Sequence, residues 1–158
     1  SYTASQVLQD APSKDLREAR AAAANIVPTS TGAAVAVALT VPSVQGKFDG
    51  ISVRVPTSVV SLSDITFVLR NDVTIEQINE TLKKAPAEPY YQAILGVSDV
   101  PLVSHDYIGN SHSGVVELLL TNVVAGNIAK VVVWNDNEWG NSNRLDELVA
   151  DVGKLISQ

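Results

Sequence analysis

The sequence predicts an α+β chain, and three stretches carry that prediction. Residues 50–70 read as two β-strands joined at Pro56. Ile51, Val53 and Val55 alternate with Ser52 and Arg54, the two-residue period of a strand with unlike faces. Residues 115–124 and 128–135 are apolar runs around Ala125-Gly126-Asn127, the pattern of an antiparallel hairpin. Residues 74–85 and about 143–156 are amphipathic helices. Their stripes are Ile75, Ile78 and Leu82, and Leu145, Leu148, Val149, Val152 and Ile156.

Arg54 is the odd member of its strand, a permanent cation among apolar residues. Such a charge is costly to bury unless an anion meets it. Asp64 on the following strand is one candidate partner. An anionic ligand entering a pocket is the other. Pattern alone leaves both open.

At 158 residues the chain is one domain or a large piece of one. Hydrophobic residues make up 46% and charged residues 18%, enough for a core. A net charge of −6 with scattered Lys and Arg argues against a nucleic-acid surface. No apolar run reaches membrane-span length and no signal peptide is visible, so no membrane partner is expected and the cytoplasm is the default. There is no Cys, which rules out disulfides, thiolate metal sites and thiol nucleophiles within these residues. There is no Met either, and Ser1 opens on apparently structured sequence, so the chain reads as a fragment or a processed product.

Residues 1–25 run from polar to charged to Ala-rich. SYTASQ reads as the end of a strand, and residues 10–20 as a solvated loop leading to a short helix. Arg17 and Arg20 would share one side of its turn. In residues 26–41 Pro28 blocks a preceding helix, and Thr29, Ser30 and Thr31 are candidate N-caps. An Ala/Val helix starts at Gly32 and stops before Pro42. Three hydroxyls and a Gly at a helix N-terminus suit an anion, though plain capping needs only one hydroxyl. Thr74 with Gln77 makes a capping box, and Pro86 ends that helix. Residues 93–97 read as a short strand, and 98–113 as loop with a further strand at Leu102-Val103.

Ser104-His105-Asp106 does not make a triad, whose members come from separate parts of a fold. His105 and His112 alone are too few for a metal, and both read as loop surface. The near-continuous hydrophobicity of the hairpin implies cover on both faces. Residues 134–144, WNDNEWGNSNR, read as a polar loop whose Asn side chains suit recognition of an amide or sugar.

Four segments stand in one order over nearly the whole chain: SYTASQ, DLREARAAAANIVPTSTGAA, GKFDGISVRVPT and WNDNEWGNSNR. Together they resemble the catalytic domain of glyceraldehyde-3-phosphate dehydrogenases. The resemblance implies a mixed, mostly antiparallel sheet with helices on one face, filling residues 1–158. A Rossmann-type NAD-binding domain would lie upstream, and residues 1–25 would be the loop that lines a neighbouring subunit's cofactor site in a tetramer. It implies NAD as cofactor, with NADP left open because Ala11-Pro12 matches neither preference. It implies glyceraldehyde 3-phosphate and inorganic phosphate as ligands.

Thr3 and Arg54 match the positions that hold the substrate's C3 phosphate. Thr31 and Gly32 match the inorganic phosphate site, with Arg17 approaching these anions. Asn137 matches the Asn that contacts the nicotinamide carboxamide. No metal is implied. The family's catalytic Cys and His lie upstream of Ser1, so this chain alone is expected to be inactive. Asn135 and Asn141 stand where the family usually has Tyr. Two other readings share these residues: an erythrose-4-phosphate dehydrogenase domain, and a fragment acting as a protein-binding module. Without the first domain the terminal helix should expose an apolar strip and promote a homo-oligomer.

Overall fold

A computed structural model of the chain describes residues 1–156. The chain divides into two compact units, Ser1–Ser58 and Val59–Gln158.

The first unit begins with turns and bends, and neither the strand end at SYTASQ nor the short helix before Arg20 forms. Asp15 Oδ1 accepts from the N–H groups of Arg17 (2.8 Å) and Glu18 (3.2 Å), a cap for a single turn. The turn goes no further: Asp10 Oδ1 takes the N–H of Ala21 at 2.8 Å, and Ala22 N–H donates to the Val7 carbonyl at 2.9 Å. Strand β1 (Val27–Thr29) follows, then helix α1 (Ala33–Thr40), then strand β2 (Ser52–Arg54).

Strands β1 and β2 pair antiparallel, with Val27 opposite Arg54 and Thr29 opposite Ser52. The sequence does not announce β1, because Pro28 reads as a breaker. A two-stranded ribbon has open edges where Pro is tolerated. Strand β2 is shorter than its alternation suggests, and its faces are the reverse of a buried apolar side. Ile51 and Val53 are exposed, while Arg54 is half-buried on the side of buried Val27. Helix α1 ends at a 3₁₀ turn, Pro42–Val44, and buries no residue although it is apolar all round.

The second unit is built on strands β3 (Ser61–Val68), β4 (Leu95–Ser98), β5 (Gly114–Val124) and β6 (Ile128–Asn135). They lie in the order β3-β6-β5-β4. The β3–β6 and β5–β6 pairs are antiparallel and β4–β5 is parallel, so the sheet is mixed and mostly antiparallel. Helix α2 (Ile75–Lys84) carries the capping box: Thr74 Oγ1 accepts from Gln77 N–H at 3.2 Å, and Gln77 Oε1 accepts from Thr74 N–H at 2.9 Å. Its Ile78 and Leu82 pack on Val116, Leu118 and Val131.

The β5–β6 hairpin turns through Ala125 (φ 52°) and Gly126 (φ 79°). A Cβ on Gly126 would lie 2.9 Å from the Asp72 carboxylate. Cover on both faces of β5 extends over residues 114–118. Beyond them Leu119 and Leu120 are exposed.

A second apolar cluster gathers Val60, Tyr107 and Val115, with Trp134 stacked on Tyr107 at 5.3 Å. No strand forms at Leu102-Val103. Asp106 Oδ2 binds Val103 N–H at 2.8 Å and tightens residues 104–107 into a 3₁₀ turn. Helix α3 (Trp139–Ile156) starts four residues earlier than the Asn-rich sequence suggests. The reason is the cap at Asp136, described below. The apolar stripe of α3 is exposed, Leu145, Leu148, Val149 and Val152 included.

Candidate functional site

The five candidate anion residues all fall in the first unit. Arg54 is half-buried, and its guanidinium makes no ion pair or hydrogen bond among the described residues. The alternative partner is engaged elsewhere: Asp64 pairs with Lys130 at 2.8 Å, diagonally across the β3–β6 ladder. An internal carboxylate therefore does not explain Arg54.

Tyr2 N–H donates to the carbonyl of Thr57 at 3.0 Å, which brings the start of the chain to the end of the β2 segment. Thr3 is half-buried there. Its hydroxyl lies 2.9 Å from Ser5 Oγ and its N–H donates to Gln6 Oε1 at 3.1 Å.

Thr31 and Gly32 open α1 as the sequence suggests, with a change of role. Gly32 is the cap, and its carbonyl accepts from Ala36 N–H at 3.0 Å. Thr31 Oγ1 accepts from Ala33 N–H at 3.1 Å. Of the other hydroxyls, Thr29 donates to Glu18 Oε1 at 3.2 Å and does not cap. That bond ties Glu18, the residue after Arg17, to β1. The Arg17 side chain is exposed and without a partner among the described residues, whereas Arg20 is paired with Asp10 at 3.0 Å. Val27 faces Arg54 and Thr31 lies four residues further along. Four residues of chain and one strand spacing span at most about 19 Å.

Asn137 belongs to the second unit, in a turn between β6 and α3. Its Oδ1 is buried and accepts no hydrogen bond. A buried amide oxygen without a donor is uncommon and asks for one. The residues beside it are held tightly. Asp136 is 3% exposed. Its Oδ1 accepts from Glu138 N–H (3.1 Å) and Trp139 N–H (2.8 Å), and its Oδ2 from Gly109 N–H (2.9 Å). Burial works to raise the Asp136 pKa, but the three N–H groups together hold it below the ordinary carboxylate value. Gly140 lets the first turn of α3 approach closely: a Cβ there would meet the His112 carbonyl at 2.9 Å. A shallow cavity of about 410 Å³ opens at this turn, lined in part by Gly109, Asp136, Glu138 and Trp139.

The 134–144 stretch is therefore not one polar loop. Trp134 and Asn135 end β6, and residues 139–144 are helix. Only Asn137 combines a turn position with an orphaned acceptor. Asn141 is exposed on α3. His105 is exposed, whereas His112 is half-buried with Nδ1 2.9 Å from Asn110 Oδ1. Among the described residues no helix is long and apolar enough to cross a membrane, and no three His, Cys, Asp or Glu gather for a metal.

Comparison with known proteins decides the family. Residues 1–137 match the model of the glyceraldehyde 3-phosphate dehydrogenase C-terminal domain. The chain belongs to that family. It is 49% identical over 156 residues to a glyceraldehyde-3-phosphate dehydrogenase of Zymomonas mobilis, covering 99% of this chain and 46% of the relative. It is 52% identical over 155 residues to one from Mycobacterium avium, covering 98% and 45%. Glyceraldehyde-3-phosphate dehydrogenase 1 of Bacillus subtilis is 51% identical over 154 residues, covering 98% and 46%. The chain thus spans about half the length of the curated relatives it matches. The orphaned oxygen of Asn137 suits an amide N–H donor.

Proposed function

We propose that this chain is the substrate- and phosphate-binding domain of a phosphorylating, NAD(P)-dependent glyceraldehyde-3-phosphate dehydrogenase of glycolysis, acting in the cytoplasm. Thr3 and Arg54 hold the C3 phosphate of the aldehyde. Thr31, Gly32 and Arg17 receive inorganic phosphate. Asn137 holds the nicotinamide carboxamide through Oδ1. A nicotinamide cofactor held there would supply the hydride acceptor. The observation that carries the reading is Arg54: a half-buried guanidinium, in a chain of this family, with no carboxylate partner among the described residues.

Each group acts through its own chemistry. A guanidinium presents a planar fork of donors that matches phosphate oxygens. The start of α1 offers free N–H groups and the positive end of a helix dipole. Neither supplies a nucleophile, and the chain has no Cys. The chain alone is therefore inactive, and the NAD-binding half must supply the thiolate. The uncovered apolar surfaces of α1 and α3 support a need for that half and for further subunits in a homo-oligomer.

The test is an assay of the full-length protein with glyceraldehyde 3-phosphate, phosphate and NAD, beside the isolated chain. Turnover by the full-length protein with none from the chain supports the reading. Turnover by the isolated chain, or none with the phosphorylated aldehyde, refutes it.

A further inference from the structure

The turn that carries Asn137 is held by more than helix capping requires. An N-cap carboxylate needs one oxygen, for the N–H groups of the first helical turn. Asp136 Oδ1 does that work through Glu138 and Trp139, and the Asp136 carbonyl accepts from Gly140 N–H at 2.9 Å. The second oxygen, Oδ2, reaches 27 residues back along the chain to Gly109 N–H at 2.9 Å. This strap joins the loop after the 3₁₀ turn to the start of α3. Asn137 lies directly after the residue that makes it, and Asn137 Oδ1 is one of the buried acceptors left without a donor.

We propose that Asp136 is a positioning residue for the nicotinamide carboxamide: its two oxygens clamp the backbone around Asn137 so that Asn137 Oδ1 stays aimed at an amide N–H. The proposal rests on the assignment of Asn137 made above. Both Asp136 oxygens are taken by backbone N–H groups of the chain. Asp136 acts by fixing the turn on one side through the helix start and on the other through Gly109. Its depressed pKa keeps it ionised and a full acceptor at neutral pH.

The experiment uses the full-length enzyme and two titrations, with NAD and with ADP-ribose, which lacks the nicotinamide. Asp136→Ser keeps a capping oxygen and removes the strap. Asp136→Asn keeps the cap and turns an amide N–H toward Gly109 N–H, so it reads the same quantity should the Ser variant fail to fold. Either variant is expected to weaken NAD roughly 3- to 10-fold, the scale of one net hydrogen bond, with ADP-ribose affinity within about twofold of wild type. Equal weakening of both ligands makes Asp136 a merely structural cap and overturns the proposal. No change in either does the same. Asn137→Ala separates the underlying reading: it must weaken NAD and spare ADP-ribose. If it spares both, the carboxamide assignment fails, and the proposal fails with it. If it weakens NAD alone while the Asp136 variants do not, only the positioning role is lost.

Discussion

Replacing Arg54 with Ala in the full-length protein removes one cation that meets no carboxylate among the described residues. Asp64 is occupied by Lys130, so the substitution strands no partner charge within the chain. The folding cost should stay within about 0.5 kcal/mol, the range of substitutions away from special features. The binding cost is larger. A charge-assisted hydrogen bond contributes about 1.5–3 kcal/mol, which converts to roughly a 10- to 150-fold loss at about 1.4 kcal/mol per decade.

That loss should fall on one substrate alone. Steady-state kinetics with glyceraldehyde 3-phosphate and with unphosphorylated glyceraldehyde separate the two terms. The variant should lose 10- to 150-fold in kcat/KM for the phosphorylated aldehyde and about nothing for the other. The Kd for NAD should not move. Equal losses on both aldehydes, or a matching loss of NAD affinity, would refute phosphate recognition by Arg54.

Three further outcomes follow from the second unit. Tyr107 donates to Glu117 Oε2 at 3.2 Å, and Glu117 is 2% exposed with Oε1 unpartnered. Tyr107→Phe should lower stability by about 1–3 kcal/mol and cost clearly less in a Glu117→Gln background; thermal unfolding of the four-member cycle checks this, and additivity would contradict it. Gly140→Ala puts a Cβ 2.9 Å from the His112 carbonyl, so α3 must shift at a cost of about 1–3 kcal/mol; an unchanged melting temperature would show that the contact yields. Asp136 has a folded pKa below its ordinary 3.8, so its contribution to stability is complete above that pH and is lost as pH falls through the folded value. The stability gap between wild type and Asp136→Ser should be flat from pH 7 to about 5 and shrink below about 3.8; a gap that closes near neutrality would contradict the depressed pKa.

Local chemistry was legible in the sequence where one side chain serves one neighbour. The Thr74/Gln77 box, the stripe of Ile75, Ile78 and Leu82, and the Ala125-Gly126-Asn127 turn all sit where their residues indicate. The opening of α1 after Thr31 was equally readable. Elements set by distant partners were not. Strand β1 exists because Arg54 and its neighbours pair with it, and Pro28 hides that. The early start of α3 depends on Asp136, whose signal is a capping carboxylate ahead of Trp139, masked by surrounding Asn residues. The alternation in β2 named its apolar side correctly as chemistry but not as burial. Ile51 and Val53 face solvent, because cover for that side is not supplied by these residues.

The proposed function requires two separate phosphate receptacles in the first unit. Selenate, a phosphate mimic with an anomalous signal, can locate them in crystals of the full-length enzyme with NAD. The expected map has two selenium peaks, one within hydrogen-bond reach of Arg54 and Thr3 and the other at the start of α1 beside Thr31 and Gly32. A map with neither peak, or one in which Arg54 is bound by a carboxylate of the protein, would contradict it.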